Sequence, residues 1–249
     1  MDRFINNFFN LIQEQKEQYI SKYPDIPHTN ASDANDCLRK VSLKMFKVKK
    51  TNVGKTSEVT LHIGNVIDKL AKQAVLNTYK VGKTDVYWFN GFMSGKADAI
   101  IKNDNGEKVV VEIKSCNSKT YNFVKKMGSP NTSNYLQATL TAHYFNINKV
   151  KLIYICKEYI EDDDGIVIFD LDVDLFQTKF ESEKFEEVVK LQQKGIVAER
   201  FYDGEIIEDP SKKKFPCAYC SFYNLCINMN SGKMEIGEVL NIRSEMEKE

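Results

Sequence analysis

Asp98 and the run Glu112-Ile113-Lys114 place two acids and a lysine at offsets that can build a metal-dependent phosphodiesterase centre. Asn103-Asp104-Asn105-Gly106 between them is strong turn chemistry, and Val109-Val110-Val111-Glu112-Ile113-Lys114 is rich in β-branched residues, so a hairpin is expected. With the turn centred on Asn105, antiparallel pairing sets Asp98 opposite Glu112 and brings the two carboxylates close. They repel unless a cation sits between them. Strand alternation turns Glu112 and Lys114 to one face while Val111 and Ile113 point the other way, into the core. Carboxylate oxygens suit magnesium or manganese, which polarise a phosphoryl oxygen and lower the pKa of a bound water. A neighbouring ammonium orients that water or stabilises developing charge. On a solvated face the same residues would form an ordinary cross-strand charge cluster, and the hairpin alone leaves the two readings even.

A second constellation lies near the other end of the chain. Cys217-x-x-Cys220-x5-Cys226 gathers three thiols, with Pro216 ahead of them favouring a turn that can wrap a metal centre. Cys37 is the best fourth ligand, because Cys37-Leu38-Arg39-Lys40 opens an amphipathic helix. Cys116 and Cys156 fall inside expected strands and read as small buried hydrophobes. Four cysteines suit zinc or an iron-sulfur cluster, and ligand softness does not choose between them. A clasp joining Cys37 to Cys217 would close a loop of roughly 180 residues, worth about 5 kcal/mol in the chain-entropy picture. Its loss should destabilise the whole fold.

Composition sets the frame for both constellations. With 42% hydrophobic and 11% aromatic residues the chain can bury a substantial core and is not disordered. Its 35 basic and 35 acidic residues cancel, so there is no global electrostatic signature of nucleic-acid binding. Local basic tracks exist at Arg39, Lys40, Lys44, Lys47, Lys49 and Lys50 and at Lys212 to Lys214. The N-terminus lacks a signal-peptide layout and no apolar run is long enough to span a bilayer, so a cytoplasmic protein without a membrane partner is expected. In that reducing compartment the cysteines should be thiols or metal ligands.

Periodicity predicts the elements that must position these residues. An amphipathic helix is expected over residues 3 to 21 and a second over Gly64 to about Tyr79, carrying Asp68. Residues 85 to 116 form the hairpin region, and a helix from Tyr135 to Phe145 points Gln137 back toward the acids. Strands over Lys149 to Lys157 and Gly165 to Asp174 flank Asp162-Asp163-Asp164-Gly165, a solvated turn that lacks EF-hand spacing. A charged helix follows from about Leu175 to Lys194.

Ser32 to Lys40 around the early cysteine, Gly64-x-x-x-Asp68, Asp98, Glu112-x-Lys114, Gln137 and the Cys217-Cys220-Cys226 run occur in this order. Together, over about residues 30 to 230, they resemble the RecB-like branch of the PD-(D/E)XK nuclease superfamily. The chain is most similar there to the CRISPR-associated Cas-four iron-sulfur exonucleases, and also to AddB-type nuclease domains. The resemblance implies an α/β fold: a restriction-endonuclease-like core with a mixed central sheet flanked by helices. It also implies that a four-iron, four-sulfur (4Fe-4S) cluster on Cys37, Cys217, Cys220 and Cys226 clasps the N- and C-terminal segments. Asp98, Glu112, the Ile113 carbonyl and Asp68 would hold Mn2+ or Mg2+, and Lys114 and Gln137 would be catalytic. The expected partners are DNA ends or single strands, and a CRISPR integrase or recombination proteins. Two positions depart from the family. Asp68 stands where a histidine is usual, and Thr141 where a tyrosine usually follows Gln137 by one turn, so Tyr144, two turns along, is the expected substitute. The chain reads as one nuclease domain over residues 1–249. Its parts are a helical region to residue 50, a core over 51–200, a cluster-binding segment over 201–230 and a tail that frays. The alternative is a non-catalytic DNA-binding or adaptor subunit. No Gly-x-x-x-x-Gly-Lys-Ser/Thr loop supplies an ATP motor.

Overall fold

The computed structural model describes residues 28–51, 56–79, 82–158, 160–161, 163–200, 217 and 220–248, with no side-chain description for 56–62. The expected helix over residues 3 to 21 and the basic run Lys212 to Lys214 lie outside these residues. The chain opens with β1 (Thr29–Asn30), a 3-10 turn (Ala31–Asp33), helix α1 (Leu38–Met45) and helix α2 (Thr56–Thr78). Three strands follow: β2 (Gly82–Phe89), β3 (Met93–Lys102) and β4 (Lys108–Cys116). Helices α3 (Ser118–Met127) and α4 (Thr132–Tyr144) then lead to β5 (Lys149–Cys156), β6 (Ile166–Asp172) and helix α5 (Leu175–Gln193). The C-terminal part contains β7 (Ile196–Val197), α6 (Tyr223–Ile227), β8 (Met234–Glu235) and α7 (Ile236–Met246).

The strands form a mixed sheet ordered β1, β3, β4, β5, β6, with β2 on the same strand β3. β4 and β5 are parallel, which requires a crossover, and α3 and α4 supply it. Tyr121 and Val124 of α3 and Ala138 and Ala142 of α4 pack against Val110, Val150, Leu152 and Tyr154 on one sheet face. Val75 of α2 packs with Ala99, Ile101, Val109, Val111 and Ile113 on the other. This is the expected mixed sheet flanked by helices. Val111 and Ile113 enter the core, as strand alternation requires.

The β3–β4 hairpin has the expected register, pairing Ala99 with Val111 and Lys102 with Lys108. Asn103 builds the turn by accepting the amides of Asn105 (3.1 Å) and Glu107 (2.9 Å), and Gly106 supplies a φ of +79°. The ladder stops at Ala99, and nearer its start β3 pairs with β1 through Thr29↔Met93 and Asn30↔Ser94. The sheet therefore forks just where Asp98 and Glu112 sit.

Two expectations need correction. Helix α2 begins at Thr56 instead of at Gly64, and the tail after Cys226 does not fray: β8 pairs with β7 and α7 follows it. Met234 and Val239 bury against Leu43, Phe222 and Leu225, so the apolar face of α1 needs this tail to complete its core.

Candidate active site

At the fork Asp98, 8% exposed, turns one carboxylate oxygen to the strand next door, where Oδ2 accepts the Ile113 amide at 2.9 Å. The splaying strands leave that amide without a ladder partner, and a buried N–H needs one. Asp98 is thus fixed by the same divergence that opens the cleft. Its Oδ1 lies 3.3 Å from Lys72 Nζ on α2.

Glu112, 2% exposed, faces the opposite helix. Its Oε1 meets Lys114 Nζ at 2.7 Å and accepts Gln137 Nε2 at 2.7 Å, while Lys114 Nζ also donates to Gln137 Oε1 at 2.8 Å. Acid, lysine and amide close a three-membered ring of contacts. Glu112 Oε2 is buried and has no hydrogen-bond partner. An orphaned buried carboxylate oxygen is costly, and it is suited to a hard cation. Burial pushes the Glu112 carboxyl up to about 7, with the Lys114 ammonium opposing and the Asp98 charge reinforcing the rise. Burial works against the Lys114 ammonium, but Glu112 and Asp98 outweigh it and hold its pKa above the usual value.

Helix α2 brings the third acid. Asp68 Oδ2 lies 2.5 Å from Lys72 Nζ, one turn along the same helix, and that ammonium also donates to Asp85 Oδ1 of β2 at 2.9 Å. Burial and the nearby Asp98 charge raise the Asp68 pKa, and Lys72 opposes them. Gly64 lets α2 approach β4 closely, since a Cβ there would stand 3.0 Å from Ser115 Oγ. The resulting cleft, about 380 Å³, is lined by Asp68, Asp98, Glu112, Ile113, Lys114 and Gln137, with Asn30, Lys96 and Lys157 at its margin.

Six of the seven acid-site candidates, the Ile113 backbone included, therefore line one cleft. Tyr144 does not. Its ring stacks on Trp88 with centroids 4.0 Å apart, and its hydroxyl pairs with Asn90 Nδ2 and with Ser182 Oγ at 3.3 Å. Asn90 in turn accepts the Met93 amide at 2.7 Å, so Tyr144 braces the β2–β3 turn. The proposed substitution of Tyr144 for the family tyrosine is thereby removed. Lys72 and Asp85 were not expected from sequence. The Asp68-to-Lys72 spacing was a visible helical-pair signal, whereas Asp85 had none without the β2–β3 register.

The cysteines lie outside the lining of this cleft. Cys37 occupies the residue position before α1 without a side-chain capping bond, Cys226 lies in α6, and the Cys220 amide donates to the Cys217 carbonyl at 3.1 Å. Burial raises the pKa of Cys220 and of Cys226; Cys226 and Cys37 add to the rise at Cys220, and Cys37 adds to it at Cys226. Arg39 Nη1 approaches Cys226 Sγ at 3.9 Å. None of the six cysteines is joined in a disulfide. Cys116 is buried and pairs in register with Cys156 across β4 and β5, apart from this group. As the side chains stand, no three His, Cys, Asp or Glu residues among those described converge on a point that would hold a metal ion. No described helix is long and apolar enough to cross a membrane.

Comparison with known proteins gives a family and a fold. Residues 27–227 match the sequence model of the PD-(D/E)XK nuclease superfamily. The crystal structure of the protein SSO0001 superposes with a TM-score of 0.55 at 20% identity, over 90% of this chain and 96% of that one. An alkaline exonuclease, LHK-Exo from Laribacter hongkongensis, aligns with a TM-score of 0.49 at 12% identity, over 68% of this chain and 93% of its own. No curated protein matches the sequence.

Proposed function

This chain belongs to the PD-(D/E)XK nuclease superfamily, and on that premise we propose that it is a metal-dependent deoxyribonuclease acting on DNA ends, with a preference for single strands. The observation that carries the reading is the buried, partnerless Oε2 of Glu112, a residue that lines the same cleft as Asp98. A binding surface has no need of a desolvated carboxylate pair, while a hard cation satisfies it. Asp98, Glu112, the Ile113 carbonyl and Asp68 would hold Mn2+ or Mg2+. The bound metal would polarise a phosphoryl oxygen and lower the pKa of a water molecule. Lys114, fixed by Glu112 and Gln137, orients the attacking water and offsets the charge that develops on phosphate. Gln137 holds the lysine and Glu112 together, and with a metal-activated water as nucleophile the attack on phosphorus would be direct, without a covalent enzyme intermediate.

Cys37, Cys217, Cys220 and Cys226 would hold a 4Fe-4S cluster that joins α1 to the C-terminal segment. The electrostatic influence of Cys37 on both Cys220 and Cys226 is in keeping with three of these four. Soft thiolates fit the cluster, and the family resemblance chooses it over zinc. Visible absorbance of anaerobically purified protein tests it, and a colourless protein carrying stoichiometric zinc would overturn it. The likeness to Cas-four and AddB-type nucleases makes an integrase or a recombination complex the expected protein partner.

One observation favours a different reading. The Lys72 ammonium already satisfies Asp68 and Asp98, as it would in a DNA-binding or adaptor subunit that never loads a metal. End-labelled linear and circular DNA, single- and double-stranded, incubated with Mn2+, Mg2+ or chelator separates the two. Stepwise shortening of linear single strands, with circles spared and chelator inhibitory, is expected. DNA that is bound and left intact with every metal would establish the adaptor.

A further inference from the structure

Lys72 occupies an unusual place for a lysine. Its side chain is 7% exposed, and the acceptors of its ammonium are three carboxylates from three elements: Asp68 at 2.5 Å, Asp85 at 2.9 Å and Asp98 at 3.3 Å. Two of these acids belong to the cation site proposed above. Without a positive charge between them Asp68 and Asp98 would repel at close range in a partly desolvated cleft.

Asp85 differs from the other two. It takes a φ of +52°, and the β2–β3 ladder passes from Thr84↔Ala99 to Val86↔Ala97 without pairing it. A non-glycine residue in this left-handed region is strained, and such strain persists where surrounding contacts hold it. Here the contacts are two ammonium groups, since Lys96 Nζ reaches the same Asp85 Oδ1 at 2.7 Å. Asp85 is therefore held beside Lys72, on a different element from Asp68 and Asp98.

We propose that Lys72 is a built-in counter-cation of the metal centre. It neutralises Asp68 and Asp98 in the metal-free protein, competes with the divalent cation for them, and moves onto Asp85 when the cation arrives. The inference rests on the metal-dependent reading of the site. A lysine suits the role because its point charge rides on a flexible stem, and its longest contact, to Asp98, is the one that yields first. Lys72, one turn from Asp68 on the same helix, offsets the charge of that carboxylate.

The test is Mn2+ binding to the full chain without DNA, by titration calorimetry, for wild type, Lys72→Met, Lys72→Arg, Asp85→Asn and the Lys72→Met/Asp85→Asn double variant. Lys72→Met should bind Mn2+ roughly tenfold more tightly or better, because a competing charge is gone. Lys72→Arg, which keeps the charge, should not gain affinity. Asp85→Asn should bind more weakly, because Lys72 then stays on the metal ligands, and this loss should vanish in the double variant. If Lys72→Met binds no more tightly than a wild type that does bind, the inference fails and the nuclease reading stands. If Asp85→Asn weakens binding equally in both backgrounds, Asp85 acts on the metal itself and the inference fails. Should Lys72→Met not fold, unchanged affinity in Asp85→Asn overturns it alone. Absence of Mn2+ binding by both wild type and Lys72→Met would overturn the metal centre as well.

Discussion

Glu112 couples the site to pH. Its carboxyl is pushed up to about 7 from an ordinary 4.5, mainly by burial, so the folded chain favours the protonated form. The contribution of Glu112 to the stability of the metal-free fold is therefore complete below about 4.5 and is lost as pH rises through about 7. A cation needs the carboxylate and expels the proton. Mn2+ affinity should climb about tenfold per pH unit below that point and level off above it, measurable by calorimetry between pH 5.5 and 8. An affinity flat across that range would contradict the assignment. Gln137 touches both Lys114 and Glu112, and Gln137→Leu should lower cleavage about 10- to 100-fold, as loss of a supporting hydrogen bond does at metal sites. A merely structural glutamine would change melting temperature without moving the pH profile. Asp98, Glu112 and Lys114 were legible because one short hairpin specifies all three. Lys72 and Asp85 were not, because their meeting depends on a second hairpin and on which face of α2 looks inward. Tyr144 misled because helical periodicity gives a face and no depth: two turns carry it about 10 Å along the axis, beyond the cleft.

The elements position the site through the fork in the sheet. β3 pairs with β4 at one end and with β1 at the other, and the gap between those ladders is the cleft. Gly95 lines this gap, and a Cβ there would meet the Trp88 indole of the neighbouring strand at 2.5 Å. Gly95→Ala should cost about 1–3 kcal/mol by overpacking, and it should disturb cleavage more than an equally destabilising change remote from the fork. Urea denaturation beside a cleavage assay checks both parts; wild-type stability would contradict the close approach. The hairpin register followed from turn chemistry, and the later strands and α5 were legible from alternation and charge. The start of α2 was misread because Gly64 looked like a boundary. Glycine is there for approach to Ser115 and sits within a continuing helix. The two-residue strands β1 and β7 carry no periodic signal at all.

Across the whole molecule, Arg39 ties the first described helix to the last segments. It is buried, with Nε on the Ala198 carbonyl at 3.0 Å and its guanidinium nitrogens on the carbonyls of Asn230 (2.6 Å), Ser231 (3.1 Å) and Gly232 (2.5 Å). Four acceptors would lose a charged donor in Arg39→Met, so at least about 3 kcal/mol of stability should go. Early proteolysis should then fall within the region after Cys226, and a variant as resistant and stable as wild type would contradict the clamp. The basic cluster around Arg39 and Lys40 therefore serves structure in part: Arg39 binds carbonyls, and Lys40 and Lys44 pair with Asp36. Charge patterning could not reveal this, since a solvated face and a buried clamp share one composition. The cysteine spacing led to the expectation of a second tie between these parts of the chain, which remains the proposal made above.

The most direct test of the proposed centre is cleavage of end-labelled single-stranded DNA by wild type and Glu112→Ala, with Mn2+ and with chelator, beside a DNA-binding measurement on the same samples. Wild type should shorten the strand with Mn2+ alone, and Glu112→Ala should bind DNA yet cut roughly 10²- to 10³-fold more slowly. Cutting at the wild-type rate by Glu112→Ala, or Mn2+-independent cutting by either protein, would contradict the centre built on Asp98 and Glu112.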